Sequence, residues 1–256
     1  MKRLNRIWLV IFLLIGIGLT GSGTLLELKR ELMSAINRSD SLALKQVRRS
    51  FLRAQPSPDK RYLQHYYIAL ADYMLTNMFR TLKDSAMYYL DDAVEHLKQC
   101  LDIEPDFAEG YALLSSSYGR KIGFHPLSGI YLGPRAGAAI GKALHLEPEN
   151  PRVNMLAGIN MLFTPRMFGG GKDKARLYLK RAERYFQTYQ PADSLMPDWG
   201  ARDVYGWLAY LALEEDSLKQ AETYCQKALE ISPQYHFVRD YLLPEIQKKK
   251  KVGHSS

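Results

Sequence analysis

Two cysteines in 256 residues are too few for a disulfide scaffold, and they rule out multi-cysteine zinc modules, since a closed structural site takes four N or S ligands. The six histidines contain no HExxH pair, and neither GxSxG nor a nucleotide-binding fingerprint occurs. An enzyme reading therefore has no motif behind it, and no metal or cofactor is expected. Glycine (18) and proline (12) are too scarce for a collagenous or low-complexity chain, while 46% hydrophobic and 24% charged residues are ordinary globular usage. The excess of positive charge lies mostly at the ends. Of the formal charge of +8, three cations lie in residues 1–23 and four in the run Lys248–Lys251, which leaves +1 for the body. A body that close to neutral is a poor match for a phosphate backbone, so no nucleic-acid partner is expected.

The N-terminus carries Lys2, Arg3 and Arg6, then the apolar stretch Ile7–Leu19, then Gly21, Ser22 and Gly23. That order is the order of a secretory signal peptide. The same residues also read as an uncleaved anchor, because no charge occurs from Ile7 to Leu26 and about 20 uncharged residues suffice to span a bilayer. Either reading places the body outside the cytoplasm, in the periplasm or envelope, with membrane association through residues 7–26 in the second case.

Three segments align on a proline: Cys100–Pro105, Ala143–Pro148 and Ala228–Pro233. Seven residues before each small residue stands an alanine (Ala93, Ala136, Ala221), and four after that an apolar position (Leu97, Ile140, Cys225). This is one face of a helix stopped by proline. Ala175, Leu179 and Ala182 repeat the frame without the proline. A second helix accompanies each copy: Tyr111, Leu114, Ser115 and Tyr118; Asn154, Ala157, Gly158 and Met161; Tyr205, Leu208, Ala209 and Ala212.

On these residues the chain resembles the tetratricopeptide repeat superfamily over roughly residues 60–245. The resemblance implies an all-α, right-handed solenoid of helical pairs whose first helices line an inner surface that binds a protein or peptide partner. Mapped onto this chain, the inner side is Glu109, Ser116 and Arg120, then Arg152, Met155 and Ile159, then Asp203 and Tyr210. These are expected to be free of the fold, with Arg120 and Arg152 as anchors for a carboxylate. The run from Asn150-Pro151-Arg152 through Phe168-Gly169-Gly170-Gly171-Lys172 also resembles a subset of exported bacterial tetratricopeptide proteins. A looser similarity is to periplasmic tetratricopeptide components paired with substrate-binding transporters.

Pro105 to Pro148 is 43 residues, against the roughly 34 of a standard unit. The excess is expected in a loop at Ile122–Pro134, and a second insertion at Thr164–Lys174, on one edge of the solenoid. His125, Tyr131, Phe168, Gly169, Gly170 and Gly171 are the candidates if those loops form a small-solute pocket. Phe168–Lys172 lacks the spacing of a P-loop, so its glycines read as helix terminators. Cys100 and Cys225 occupy apolar repeat positions and read as buried thiols, and His96 with Asp92 as a pair on a solvated face. The chain divides into residues 1–23, an N-terminal cap and linker over 24–58 (helices Leu25–Ile36 and Ser41–Leu52), the repeat domain over 59–247, closed by a helix Tyr235–Gln247, and a flexible basic tail over 248–256. The function expected is that of an exported scaffold for protein–protein interaction, without catalytic activity. The alternative is a solute-binding or transporter-accessory protein.

Overall fold

The computed structural model describes residues 24–77 and 82–253. Residues 1–23, read as the signal segment and most of the anchor, lie outside them. Among the described residues there is no strand, and eleven α-helices follow one another. They are α1 (Leu25–Arg38), α2 (Ser41–Arg53), α3 (Arg61–Thr76), α4 (Lys83–Ile103), α5 (Ala108–Phe124), α6 (Gly129–Leu146), α7 (Pro151–Phe163), α8 (Lys172–Thr188), α9 (Ala201–Glu214), α10 (Leu218–Ile231) and α11 (Leu243–Gly253).

Local chemistry sets most of the boundaries. Thr24 and Glu27 form a reciprocal capping box on α1, and the Asp40 carboxylate accepts the first N–H groups of α2. Asn150 caps α7, with Pro151 in the first helical position where a missing N–H costs nothing. α4, α6 and α10 each end two residues before the aligned prolines. α3–α4, α5–α6, α7–α8 and α9–α10 pack as antiparallel pairs, and α4–α5, α5–α7 and α8–α9 join successive pairs, which is an all-α solenoid. Ala93, Ala143, Ala182, Ala221 and Ala228 are fully buried, and Cys100 and Cys225 are free, buried thiols among them.

The extra length between Pro105 and Pro148 is mostly helix and not loop. α5 runs to Phe124 and α6 begins at Gly129, so only a short turn separates them. α6 has 18 residues against 14 in α10, about one helical turn more. Pro134 lies inside α6. The acceptor its missing N–H frees is the carbonyl of Ile130, a residue at the exposed end of the helix, where water substitutes for the lost bond. The C-terminus also departs from expectation. A π-helical turn, Phe237–Leu242, precedes α11, and α11 carries the lysine run. Lys249 donates to the Leu213 carbonyl and pairs with Asp216, and Lys250 pairs with Glu222. Those acids on the adjoining helical pair hold the run in a helix where a solvated tail was expected.

The solenoid is not a stack of neighbours alone. The segment between α8 and α9, Tyr189–Gly200, crosses back over α3 and α1. The Tyr67 hydroxyl donates to the Leu195 carbonyl, Trp199 Nε1 donates to the Tyr66 hydroxyl at 2.9 Å, and Lys29 reaches the Ser194 carbonyl (2.7 Å) and Asp198 (2.9 Å). Arg202 at the start of α9 donates to the Ile36 and Asn37 carbonyls at the end of α1 and to Ser232. This closure explains α3, in which every residue from Leu63 to Thr76 except His65 is buried. A helix buried on all sides must satisfy its polar groups internally, and Gln64 does so by capping the Phe51 and Ala54 carbonyls.

Two polar clusters centred on buried acids hold the first three pairs together. Asp72 of α3 takes Arg48 of α2, which also pairs with Asp92 of α4. His96 makes the expected pair with Asp92 (3.7 Å) but is half-buried and not on a solvated face, with its Nδ1 2.9 Å from His65 Nδ1. The second cluster is Glu109 with Arg152, 2.8 Å apart and 2% and 1% exposed. Breaking a buried pair strands the remaining charge, so Glu109→Ala or Arg152→Ala is expected to cost about 3–5 kcal/mol in chemical denaturation. Replacing both by apolar residues of similar volume should cost less than either single change. Burial pushes the Asp72 carboxyl up from 3.8 to about 8, against the opposing pull of Arg48. The folded state thus holds this proton more tightly than the unfolded chain. Its stabilisation is complete below pH 4 and is lost as pH rises through 8. Asp72→Asn should therefore flatten the fall in the urea midpoint between pH 4 and pH 8.

Candidate functional site

The inner side of the first helices divides into a filled half and an open half. In the filled half stand four of the residues expected to be free. The Glu109 carboxylate accepts from Arg152, from Asn150 Nδ2 at 2.9 Å and from the Tyr66 hydroxyl at 3.3 Å. Arg152 also donates to the Trp199 carbonyl and lies 4.4 Å from the Tyr189 ring centroid. Burial alone would lower the Arg152 pKa, but Glu109 beside it holds it above the ordinary guanidinium value. Burial and the Glu109 charge push the Tyr66 phenol well up. Met155 is buried, and Ser116 is buried and bonded to Asn160. Gly200, at φ 108°, passes so close that a Cβ would stand 3.1 Å from Met155 and 3.3 Å from Arg152. These residues carry the fold and are not free to hold a ligand. The reason is the returning segment, which occupies the groove over α3, α5 and the start of α7.

Arg120 is half-buried. It donates to the Tyr73 carbonyl and to Thr76, and its guanidinium lies 3.5 Å over the Tyr73 ring. Asp203 accepts from the Tyr235 hydroxyl at 2.8 Å. Burial first, then Asp203, raise the Tyr235 phenol, and the charges of Arg202 and Arg120 oppose them, which puts Arg120 within electrostatic reach of the C-terminal turn. Ile159 and Tyr210 are half-buried.

Tyr210 belongs to the open half. From Phe163 at the end of α7 the rings run to Trp207 (5.6 Å), from Trp207 to Tyr210 (5.8 Å) and Phe237 (5.0 Å), and from Phe237 to Tyr241 (5.8 Å, stacked within 8°). The ends of this strip are open, Phe163 being 63% exposed and Tyr241 43%. Edge-to-face and offset contacts at these distances fix the rings with respect to one another. The strip depends on two local devices. The wide π turn presents Phe237 and Tyr241 along one line, and such turns recur at functional sites. Gly206 on α9 lets the turn dock, since a Cβ there would stand 2.9 Å from the Tyr235 ring. Trp207 shares a helical face with Asp203 and Tyr210, and following that register would have found it. Nothing in the sequence marks the π turn, so Phe237 and Tyr241 had no signal.

Two depressions in the surface lie away from the inserted turns. They measure about 720 Å³ and 520 Å³ and are lined by residues of Asp216–Lys227 and of Glu147–Gln190, and neither includes His125, Tyr131 or Phe168. His125, Tyr131, Phe168 and Gly169 are exposed, and Gly170 and Gly171 half-buried. Gly169 (φ 85°) and Gly171 (φ 123°) do take left-handed conformations around the start of α8, and a Cβ on Gly170 would lie 2.0 Å from the Thr164 carbonyl oxygen. The triple glycine is a helix junction. No group of three His, Cys, Asp or Glu side chains that would hold a metal occurs among the described residues.

No family model and no curated protein matches the sequence. Several solved structures share the fold. One is the HusA haemophore from Porphyromonas gingivalis, with a TM-score of 0.62 and 20% identity over 76% of this chain and 96% of that one. Another is TTC0263, a thermophilic tetratricopeptide protein of Thermus thermophilus, with a TM-score of 0.55 and 20% identity over 88% of this chain and 99% of that one. The likeness establishes a tetratricopeptide-like helical fold.

Gly206→Ala is expected to push Tyr235 off Asp203 and disorder the strip, costing about 1–3 kcal/mol. The near-ultraviolet circular dichroism of the aromatic rings should fall while the helical far-ultraviolet signal stays.

Proposed function

We propose that this chain is a non-catalytic scaffold that works outside the cytoplasm and holds an extended segment of a protein partner along the strip Phe163–Trp207–Tyr210–Phe237–Tyr241. The observation that carries the reading is the strip itself. Five rings contributed by α7, α9 and the π turn, open at both ends, form a rigid aromatic surface on the part of the inner face that the chain does not fill. Aromatic anchors dominate binding energy in protein interfaces, because they bury large area with little loss of side-chain freedom. An extended peptide suits a strip crossing three elements, with apolar side chains laid on the rings. Asp203, half-buried on the same face of α9 as Trp207 and Tyr210, supplies a polar group beside the strip to orient the peptide. Residues 1–23, basic and then apolar, support export, and the absence of any catalytic motif in the sequence supports a binding role.

Peptides selected on the immobilised protein should lose affinity about tenfold or more on Trp207→Ala with Phe237→Ala, measured by fluorescence anisotropy, while Glu149→Ala leaves it unchanged. Equal affinity in the double variant would remove the strip as the site. The haemophore of the same fold supplies the competing outcome: a haemin titration giving a Soret shift, abolished by the same double variant, would replace the peptide by a planar tetrapyrrole. Alkaline phosphatase fused after Ser256 should be active in whole cells; an inactive fusion beside an active cytoplasmic reporter would refute export.

A further inference from the structure

α5 and α7 lie parallel, side by side. Glu109 meets Arg152 near their first residues, and Asn160 meets Ser115 (2.8 Å) and Ser116 (3.2 Å) further along. The turns that follow, between α5 and α6 and between α7 and α8, therefore leave the same edge of the solenoid. On those turns stand Leu127, Ile130, Tyr131, Met167 and Phe168, from 57% exposed at Tyr131 to 86% at Leu127. Exposed apolar side chains occur elsewhere on the body, Leu42 and Tyr88 among them, but these five are gathered at two adjacent tips, and such a concentration marks a contact surface.

The charge pattern selects what meets it. Residues 110–146 and 150–172 contain no Asp or Glu, and Asp173, exposed just after the second turn, is paired with Arg176 at 3.7 Å. Arg135, Arg166 and Lys174 are exposed beside the apolar tips. The acids of the next turn on this edge are already paired: Glu214 with Lys172, Glu215 with Arg176, and Asp216 with Lys249. The α5–α6 turn is carried outward by about one extra helical turn. Apolar tips ringed by cations need no complementary pocket. They fit a fluid surface that is apolar within and negative at its face. No described helix is long and apolar enough to cross a membrane, so the contact is one of insertion at the interface.

We infer that the α5–α6 and α7–α8 turns dock on an anionic phospholipid bilayer, inserting Leu127, Ile130, Tyr131, Met167 and Phe168 among the headgroups with Arg135, Arg166 and Lys174 on the lipid phosphates. This contact is separate from the aromatic strip and does not rest on the peptide reading. It is also separate from any contact made by residues 7–26.

The test places an environment-sensitive fluorophore on the full chain at Met167→Cys, at Ile130→Cys and, as a control, at the exposed Gln226→Cys of α10. Labelling is selective because Cys100 and Cys225 are buried, and burial pushes the Cys225 thiol up to about 12. Vesicles of phosphatidylglycerol and phosphatidylethanolamine should shift the emission at positions 167 and 130 to the blue and expose both labels to quenching by brominated acyl chains. Position 226 should not respond. Phosphatidylcholine vesicles should need about tenfold more lipid for the same shift, as should Arg166→Glu with Lys174→Glu on anionic vesicles. Labels at 167 and 130 that stay aqueous on anionic vesicles, in chains with native helical signal, would overturn the proposal. So would an equal shift at 226, which means adsorption of the whole chain, or a shift produced by a protein partner and not by lipid.

Discussion

The ion pair between Glu109 and Arg152 is the contact on which the rest of the architecture converges. Both side chains are out of water, so the attraction between them is strong and the cost of stranding either is high. The surrounding groups are those needed to use the remaining donors and lone pairs: Asn150, Tyr66 and the Trp199 carbonyl. Asn150 is at once the cap of α7 and a donor to Glu109, which couples the start of a helix to the packing of its neighbour. Trp199 belongs to the segment that returns across α3. One cluster therefore joins the second and third helical pairs, the first helix of the repeat and the crossing segment. Arg152 Nε has no hydrogen-bond partner among the described residues, and the Tyr189 and Phe186 rings lie 4.4 Å and 5.9 Å from the guanidinium.

That crossing segment changes what the solenoid is able to bind. In an open array the inner surface is continuous and available along its whole length. Here Leu195–Trp199 and Gly200 fill the first half with the chain's own backbone and rings. The available surface is displaced toward α7, α9 and the π turn, where the rings from Phe163 to Tyr241 are left partly open. Self-occupancy also ties α1 to α9 through Arg202. A repeat protein that would unfold unit by unit is thereby closed by contacts far apart in sequence, which favours cooperative unfolding of the ends with the middle.

The two edges of the solenoid have opposite chemistry for the same geometrical reason. Where one pair hands over to the next, helix ends are packed against neighbours, and caps and prolines satisfy them. Where a pair turns on itself, the ends project, and side chains there face outward. In α9–α10 the turn is short, acidic and matched by Lys172, Arg176 and Lys249. In the two preceding pairs it is apolar and, apart from Asp173, cationic, and the apolar residues there are among the most exposed of the described residues.

The sequence by itself determined the helices and their pairing. An alanine frame with a period near 3.6 and a closing proline specifies a buried helical face whatever surrounds it, and Ala93, Ala143, Ala182 and Ala228 are buried as that frame requires. Asp40 and Asn150 caps, the buried thiols and the helix-ending glycines 169 and 171 were legible for the same reason: each is decided within a few residues of chain. Only the tertiary structure decided the site. Whether Arg152 is a free anchor or a buried structural ion depends on a segment some 45 residues later in the chain folding over it, and helical periodicity carries no information about such a return. The π turn that aligns Phe237 and Tyr241 depends in turn on the space left by Gly206 on another helix. Local interactions fix which residues share a face; long-range packing fixes which faces remain open.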